Sequence, residues 1–305
     1  MTQPNRTIEM VEVGPRDGLQ NEAVLVSTAH KVELIRRAIA AGSRRIEVTS
    51  FVNPKRVPQM ADAEDVVAQL GAPAGVTRIG LVLNERGAER ALACGLDQLG
   101  AVAIASDPFG IRNQGQDSAQ SIEVAERIVA MGRAAGKTAQ VTIAVAFGCP
   151  FGGEVDPSHV VRMAARLAEL GPCEIALADT IGVAVPAQVS ALVAAVKQAI
   201  APLPVRVHFH NTRNTGIANV WAAVEAGASV VDASIGGLGG CPFAPGAAGN
   251  VATEDVAYLL ARSGLETGLD LDRLIEASHW LGGVMDKAMP SMLARAGGFP
   301  KAEQE

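Results

Sequence analysis

At 305 residues the chain has room for two domains of roughly 100–200 residues each, or for one large α/β barrel. Hydrophobic residues make up 49%, which supplies a sizeable core and excludes a disordered chain. Aromatics at 3%, a net charge of −6 from 26 Lys+Arg against 32 Asp+Glu, and no basic block argue against nucleic acid or an anionic membrane as partner.

Two periodicities alternate along the chain. β-rich runs are expected at about 8–13, 45–49, 77–83, 98–104, 138–146, 173–178, 204–209 and 229–233. Amphipathic helical spacing fills the gaps. In the first helix Val32, Leu34, Ile35, Ala38 and Ile39 form the apolar face, with Lys31, Glu33, Arg36 and Arg37 around it. Similar patterns occupy about 62–70, 85–93, 118–134, 156–169, 186–198, 214–226 and 253–262. Gly42, Gly71, Gly95, Gly136, Gly171 and Gly227 each follow a helical run, where a left-handed cap is expected. Eight strand–helix units point to a single-domain (β/α)8 TIM barrel, spanning about 8–265. A doubly wound dinucleotide fold is disfavoured, because Gly14-Pro15-Arg16-Asp17-Gly18 after the first strand lacks GxGxxG. Residues about 266–305 form a C-terminal helical extension, with an extra helix near 270–290 and a polar tail.

The four cysteines, Cys94, Cys149, Cys173 and Cys241, are far apart and form no CxxC pair, so neither a disulfide framework nor a zinc cluster is indicated. Met1–Thr7 is short and polar, unlike a secretory signal, and no stretch reads as a bilayer span. A soluble protein of a reducing, cytoplasmic compartment is expected.

In a barrel the active site lies where the strands end. Arg16, Asp17 and Gln20 follow strand one; Glu47, Thr49 and Ser50 lie on strand two; Asp179 and Thr180 follow strand six. Strand seven ends in His208-Phe209-His210-Asn211, and the long loop after strand eight carries Cys241 and Asn250. His208 and His210, two apart on a strand, share one face, as a metal pair or as paired structural histidines. Asp17 alone reads as a turn residue and Asn250 alone as a helix cap. Together, one carboxylate, two imidazoles and an amide oxygen would suit an octahedral Mg2+ or Mn2+, with Zn2+ less favoured.

Segment 235–250 holds six glycines and two prolines but no GK[ST]. It reads either as a connector or as a lid that brings Cys241 to the site. Schiff-base chemistry is disfavoured: of the six lysines, only Lys55 follows a strand at the active end, and its Pro-containing loop reads as surface.

Read together, VEVGPRDGLQNE (11–22) and GGLGGCP (236–242) closely resemble 3-hydroxy-3-methylglutaryl-CoA lyases, within a larger group of metal-dependent barrel lyases and Claisen-type synthases. IEVTSFVNPKRVPQM (46–60), FGCPFGGEV (147–155), ADTIGVAVP (178–186) and GNVATED (249–255) extend the resemblance from about residue 8 to about 290. It implies Asp17, His208, His210 and Asn250 as metal ligands, and Arg16 as the group that stabilises enolate charge. Glu47 and Asp179 would lie at the site, with His208 or a neighbouring carboxylate as base and Cys241 in proton transfer. An acyl-CoA substrate, a place in leucine degradation and a homo-oligomer, in the simplest case a dimer, are the corresponding expectations.

One segment departs from the family. Where its best-known members read HCHDTYGQALAN, this chain has HFHNTRNTGIAN (208–219), with Asn211 for a carboxylate and Arg213 for Tyr. Arg213, with Gln20 and Ser50, is a candidate substrate contact; its alternative is a solvent-facing residue in the first turn of the next helix. The expected activity is divalent-metal-dependent cleavage of a 3-hydroxyacyl-CoA, with 3-hydroxy-3-methylglutaryl-CoA first and a citramalyl-CoA-like substrate second. A Claisen-type condensing enzyme is the alternative, disfavoured by the GGLGGCP loop and by a C-terminus too short for a regulatory domain.

Overall fold

The computed structural model describes residues 6–240 and 249–299. Eight strands run parallel and close in sequential order: β1 (Glu9–Glu12), β2 (Arg45–Ser50), β3 (Thr77–Leu81), β4 (Gln98–Ile104), β5 (Thr138–Ala144), β6 (Ile175–Asp179), β7 (Val205–Phe209) and β8 (Val230–Ala233). β8 pairs back onto β1, with Val11 opposite Asp232, so no edge is left open. Helices lie outside: α1 (Thr28–Ala40), α2 (Ala63–Leu70), α3 (Glu85–Ala93), α4 (Asp107–Asn113), α5 (Ser118–Ala134), α6 (Pro157–Ala168), α7 (Pro186–Ile200), α8 (Gly216–Glu225) and α9 (Thr253–Arg262). The protein is a (β/α)8 TIM barrel. Every strand lies within two residues of its expected range, and all six expected cap glycines have left-handed φ.

Three local differences have identifiable causes. β5 stops at Ala144 because Val145 takes a φ of 51°. α4 was not anticipated: its seven residues, DPFGIRN, carry no apolar stripe, and Pro108 is acceptable only because it sits in the first turn. α8 begins at Gly216, where Asn211 Oδ1 accepts the Gly216 N–H at 3.0 Å and Asn214 is left-handed at φ 59°. Arg213 therefore precedes the helix. Lys31 also differs from its expected place at the rim of the apolar face: it is buried, with Nζ 2.6 Å from Asp62 Oδ1.

The main apolar core fills the space between sheet and helices, whereas inside the barrel only Val11, Val13, Ile79 and Val230 form an apolar cluster. Beside it the interior holds buried charged and polar side chains, among them Arg45, Glu47, Gln98, Gln140, Glu174, Arg206 and Asp232. The C-terminal segment folds back as α10 (Leu271–Met285) and the short α11 (Leu293–Ala296). α10 packs on α1, with the Arg37 guanidinium 4.7 Å from the Trp280 ring centroid. Asp255 of α9 accepts Leu293 N at 2.8 Å and Ser291 Oγ at 3.0 Å. Met289 fills the space over Gly236, where an added Cβ would lie 2.8 Å from its sulfur. The extension thus braces the start of the loop after β8. No helix among the described residues is long and apolar enough to cross a membrane.

Candidate active site

β1 runs directly into a π-helical turn over Gly14–Gly18, which places Arg16 and Asp17 at the C-terminal rim. The Arg16 guanidinium is held on two sides. Nε and Nη2 reach Glu47 Oε2 of β2 at 2.7 and 2.5 Å, and Nη1 reaches Asp17 Oδ1 at 2.5 Å. These contacts use three of its five N–H groups. Burial favours the neutral forms of both side chains, but the mutual charge wins. Arg16 is raised by Glu47 and Asp17, and Asp17 is held well below the usual carboxylate range by Arg16 and the two histidines.

β7 and the residue that follows it supply the two imidazoles, His208 and His210, on one inward face. Their Nε2 atoms stand 3.1 Å apart, with Asp17 Oδ2 at 3.8 Å from His208 Nε2 and 3.6 Å from His210 Nε2. Adjacent ligands of an octahedral ion with bonds of about 2.1 Å lie about 3 Å apart, so the two nitrogens already have that spacing. Asp17, His208 and His210 are the group among the described residues whose donor atoms converge in the way a metal ion requires. The set fits a divalent cation.

Asn250 reaches the same spot from the far end of the β8 loop. Segment 249–251 pairs with the end of β7: Val251 N donates to Phe209 O at 3.1 Å, and Asn211 N to Gly249 O at 2.7 Å. Asn250 Nδ2 donates to Asp17 Oδ2 at 2.8 Å and to Leu238 O at 3.1 Å. It does not cap α9, whose N-cap is Ala252. As an oxygen ligand its amide would be turned over, and 2.8 Å from Asp17 is also a normal separation between two oxygens on one ion. The loop pinches shut here. A Cβ on Gly249 would fall 1.2 Å from the Gly239 carbonyl oxygen, so only glycine permits the two backbones to touch. Cys241 lies outside the described residues.

The other expected residues have distinct places. The Asp179 carboxylate accepts Val183 N at 2.9 Å and Ala184 N at 3.0 Å, shaping the loop after β6. Burial raises its pKa against these bonds and the attraction of the histidines. Ser50 Oγ and Gln20 Oε1 are buried without a partner among the described residues, so both have hydrogen-bonding capacity to spare. Arg213 is exposed, and its Nη1 donates to Ile181 O and Gly182 O, both at 2.9 Å, strapping that same β6 loop.

Sequence reasoning missed what lies beneath the rim. His208 Nδ1 is 3.2 Å from Asp232 Oδ2 of β8, and both Asp232 oxygens are gripped by one edge of the Arg206 guanidinium, Nε and Nη2. Burial alone would raise Asp232; Arg206 and His208 hold it below its usual value. His208 is raised, because the Asp232 bond and the two nearby carboxylates outweigh burial. The available signal was parity: Arg206, His208 and His210 alternate along one strand, so a charge had to face inward with the imidazoles. Glu12 was missed too. Its carboxylate is buried at the root of the site and pushed up to about 7 by that burial.

A closed parallel barrel with a carboxylate, two imidazoles and a carboxylate-clamped arginine at the C-terminal rim has the fold and site placement of a barrel enzyme, with side chains that could hold a divalent cation. Comparison with known proteins narrows the class. Residues 7–281 match the HMGL-like family model. An (R)-citramalyl-CoA lyase of Chloroflexus aurantiacus is 44% identical over 300 residues, covering 95% of each chain. A hydroxymethylglutaryl-CoA lyase of Bacillus subtilis is 38% identical over 286 residues, covering 94% of this chain and 96% of its own. The structure of an HMG-CoA lyase from Acinetobacter baumannii, in complex with coenzyme A and 3-methylmalate, superposes with a TM-score of 0.94 at 39% identity over the whole of both chains. The chain belongs to the HMGL-like family and is a carbon–carbon lyase.

Proposed function

We propose that this protein cleaves a 3-hydroxyacyl-CoA to acetyl-CoA and a carbonyl product, with 3-hydroxy-3-methylglutaryl-CoA, giving acetoacetate, as the leading substrate. The observation that carries the reading is the convergence of Asp17, His208 and His210 beside the Arg16–Glu47 pair. Asp17, His208, His210 and a turned Asn250 would hold the ion, Mg2+ or Mn2+ before Zn2+. Bound there, it supplies Lewis acidity that makes the C3 hydroxyl easier to deprotonate.

The residues divide the remaining work. Of the three base candidates, Glu47 is committed to Arg16 and Arg206, and His208 to Asp232 through Nδ1. Asp179 keeps spare lone pairs and a raised proton affinity, and is the better base. As the hydroxyl proton leaves, C3=O forms and the C2–C3 electron pair moves onto the thioester. The two free N–H groups of Arg16 meet the resulting enolate oxygen. Cys241 then delivers a proton to C2. Ser50 and Gln20 bind polar atoms of the substrate, and Arg213 acts on acyl selectivity through the β6 loop. A homodimer is the proposed assembly.

A second reading has its own support: the relative at 44% identity is an (R)-citramalyl-CoA lyase. Citramalyl-CoA carries its carboxylate one methylene closer to C3, so the same machinery would serve and only the carboxylate contact would differ. A turnover panel of both thioesters, with and without Mg2+ or Mn2+, decides between them. No cleavage of any 3-hydroxyacyl-CoA in the presence of metal would overturn the proposal.

A further inference from the structure

Six buried charged side chains form one connected network inside the barrel. Arg206, wholly inaccessible to solvent at 0% exposure, stands at its centre. Its Nε and Nη2 grip the two oxygens of Asp232, the Nη2 contact at 2.9 Å. Nη2 also reaches Glu47 Oε1 at 3.1 Å, and Nη1 reaches Glu174 Oε1 at 3.3 Å. Glu174 in turn is bridged to Arg45 at 2.6 and 3.0 Å. Arg16 completes the network through Glu47.

Barrel interiors are ordinarily filled with branched apolar side chains, and burying ions there costs more than it returns unless something else requires them. Two features point to what requires these. Three guanidiniums, Arg16, Arg45 and Arg206, are matched with Glu47, Glu174 and Asp232, and the exposed Glu9 also bridges to Arg45 at 2.8 Å. At the rim Asp17 and Glu47 share the Arg16 guanidinium, so two carboxylates face one guanidinium where a cation would sit. Moreover, two limbs of Arg206 end on the two groups that do the work above it. Through Asp232 it reaches His208 Nδ1; through Glu47 it reaches the Arg16 guanidinium.

We propose that Arg206 is a positioning residue for both halves of the site, fixing the tautomer of His208 through Asp232 and the orientation of Arg16 through Glu47. A carboxylate held in a guanidinium fork has only acceptors to offer, so the His208 proton is kept on Nδ1 and the Nε2 lone pair is left for an ion. The same planar fork sets where Glu47 stands, and hence where Arg16 points. Lysine, a single point charge, cannot do both. The inference rests on the metal-binding reading above.

The test measures Mn2+ affinity of the substrate-free protein by electron paramagnetic resonance of free Mn2+, alongside kcat, KM and thermal melting. Asp232→Asn, which lets either imidazole tautomer form, should weaken Mn2+ binding roughly 10- to 100-fold. Arg206→Lys should weaken Mn2+ binding and lower kcat, each about tenfold or more, with KM changed less than about threefold. Arg78→Lys is the control, since the buried Arg78 pairs with the half-buried Asp97 away from the site; it should lower the melting temperature alone. If Asp232→Asn and Arg206→Lys also shift only the melting temperature while Mn2+ binds as in the unaltered protein, the network is structural and the inference is overturned. Absence of Mn2+ binding by the unaltered protein would instead overturn the metal reading itself, and this one with it.

Discussion

Glu12 and Ile235 are 223 residues apart and joined by one hydrogen bond, Ile235 N donating to Glu12 Oε1 at 3.0 Å. The same oxygen accepts Gly14 N at 2.8 Å, and Oε2 accepts Thr253 Oγ1 at 2.7 Å. One buried carboxylate therefore ties the turn bearing Arg16 and Asp17 to both ends of the loop after β8. Glu254, also buried and raised, accepts Gly236 N alongside it.

Burial lifts Glu12 from the ordinary 4.5 to about 7, so the folded protein keeps a proton that the unfolded chain loses above pH 4.5. Its contribution to stability is present below that value and is lost as pH rises toward and through 7. Between pH 5 and 8 the loss amounts to about 2–3 kcal/mol. Urea unfolding of the protein and of Glu12→Gln across that range should show their stability difference changing by this amount. Parallel pH profiles would rule out Glu12 as the titrating group.

Metal removal gives the second expectation. EDTA treatment should abolish cleavage, and added Mg2+ or Mn2+ should restore it. Asp17→Asn should weaken Mn2+ binding, because it removes the one negatively charged donor of the convergent set. Full activity of a verified metal-free preparation would contradict the first statement, and unchanged Mn2+ affinity in Asp17→Asn the second.

Arg16→Gln should lower kcat by roughly 10²–10³ while KM moves little, since its charge is needed most when the enolate forms. Steady-state kinetics at saturating metal distinguish this from a binding role, in which KM alone would rise.

The β6 loop is held from two directions, by Asp179 on its backbone N–H groups and by Arg213 on its carbonyls. Arg213→Tyr releases the second strap. Relative kcat/KM between 3-hydroxy-3-methylglutaryl-CoA and citramalyl-CoA should shift, with Mn2+ affinity unchanged. Identical selectivity in the variant would separate this loop from acyl recognition.

Much of this architecture is local, and the sequence alone determined it. Helical spacing such as Val32–Ile39 and polar–apolar alternation such as 138–144 encode element type through periods of 3.6 and 2, and caps such as Gly42 punctuate them. Eight repeats of that unit leave few ways to close, and closure alone places Arg16, Asp17, His208 and His210 at one rim. What the tertiary structure decided depends on register between distant strands. Asp232 serves His208 because β7 and β8 pair with those two residues opposite each other. Glu12 meets Ile235 because β8 closes onto β1, and Arg213 became a loop strap because Asn211 and Asn214 delay the start of α8. Periodicity shows which face a side chain takes; only the closed barrel shows which partner it meets there, because buried charges settle on partners that closure brings within reach rather than on sequence neighbours.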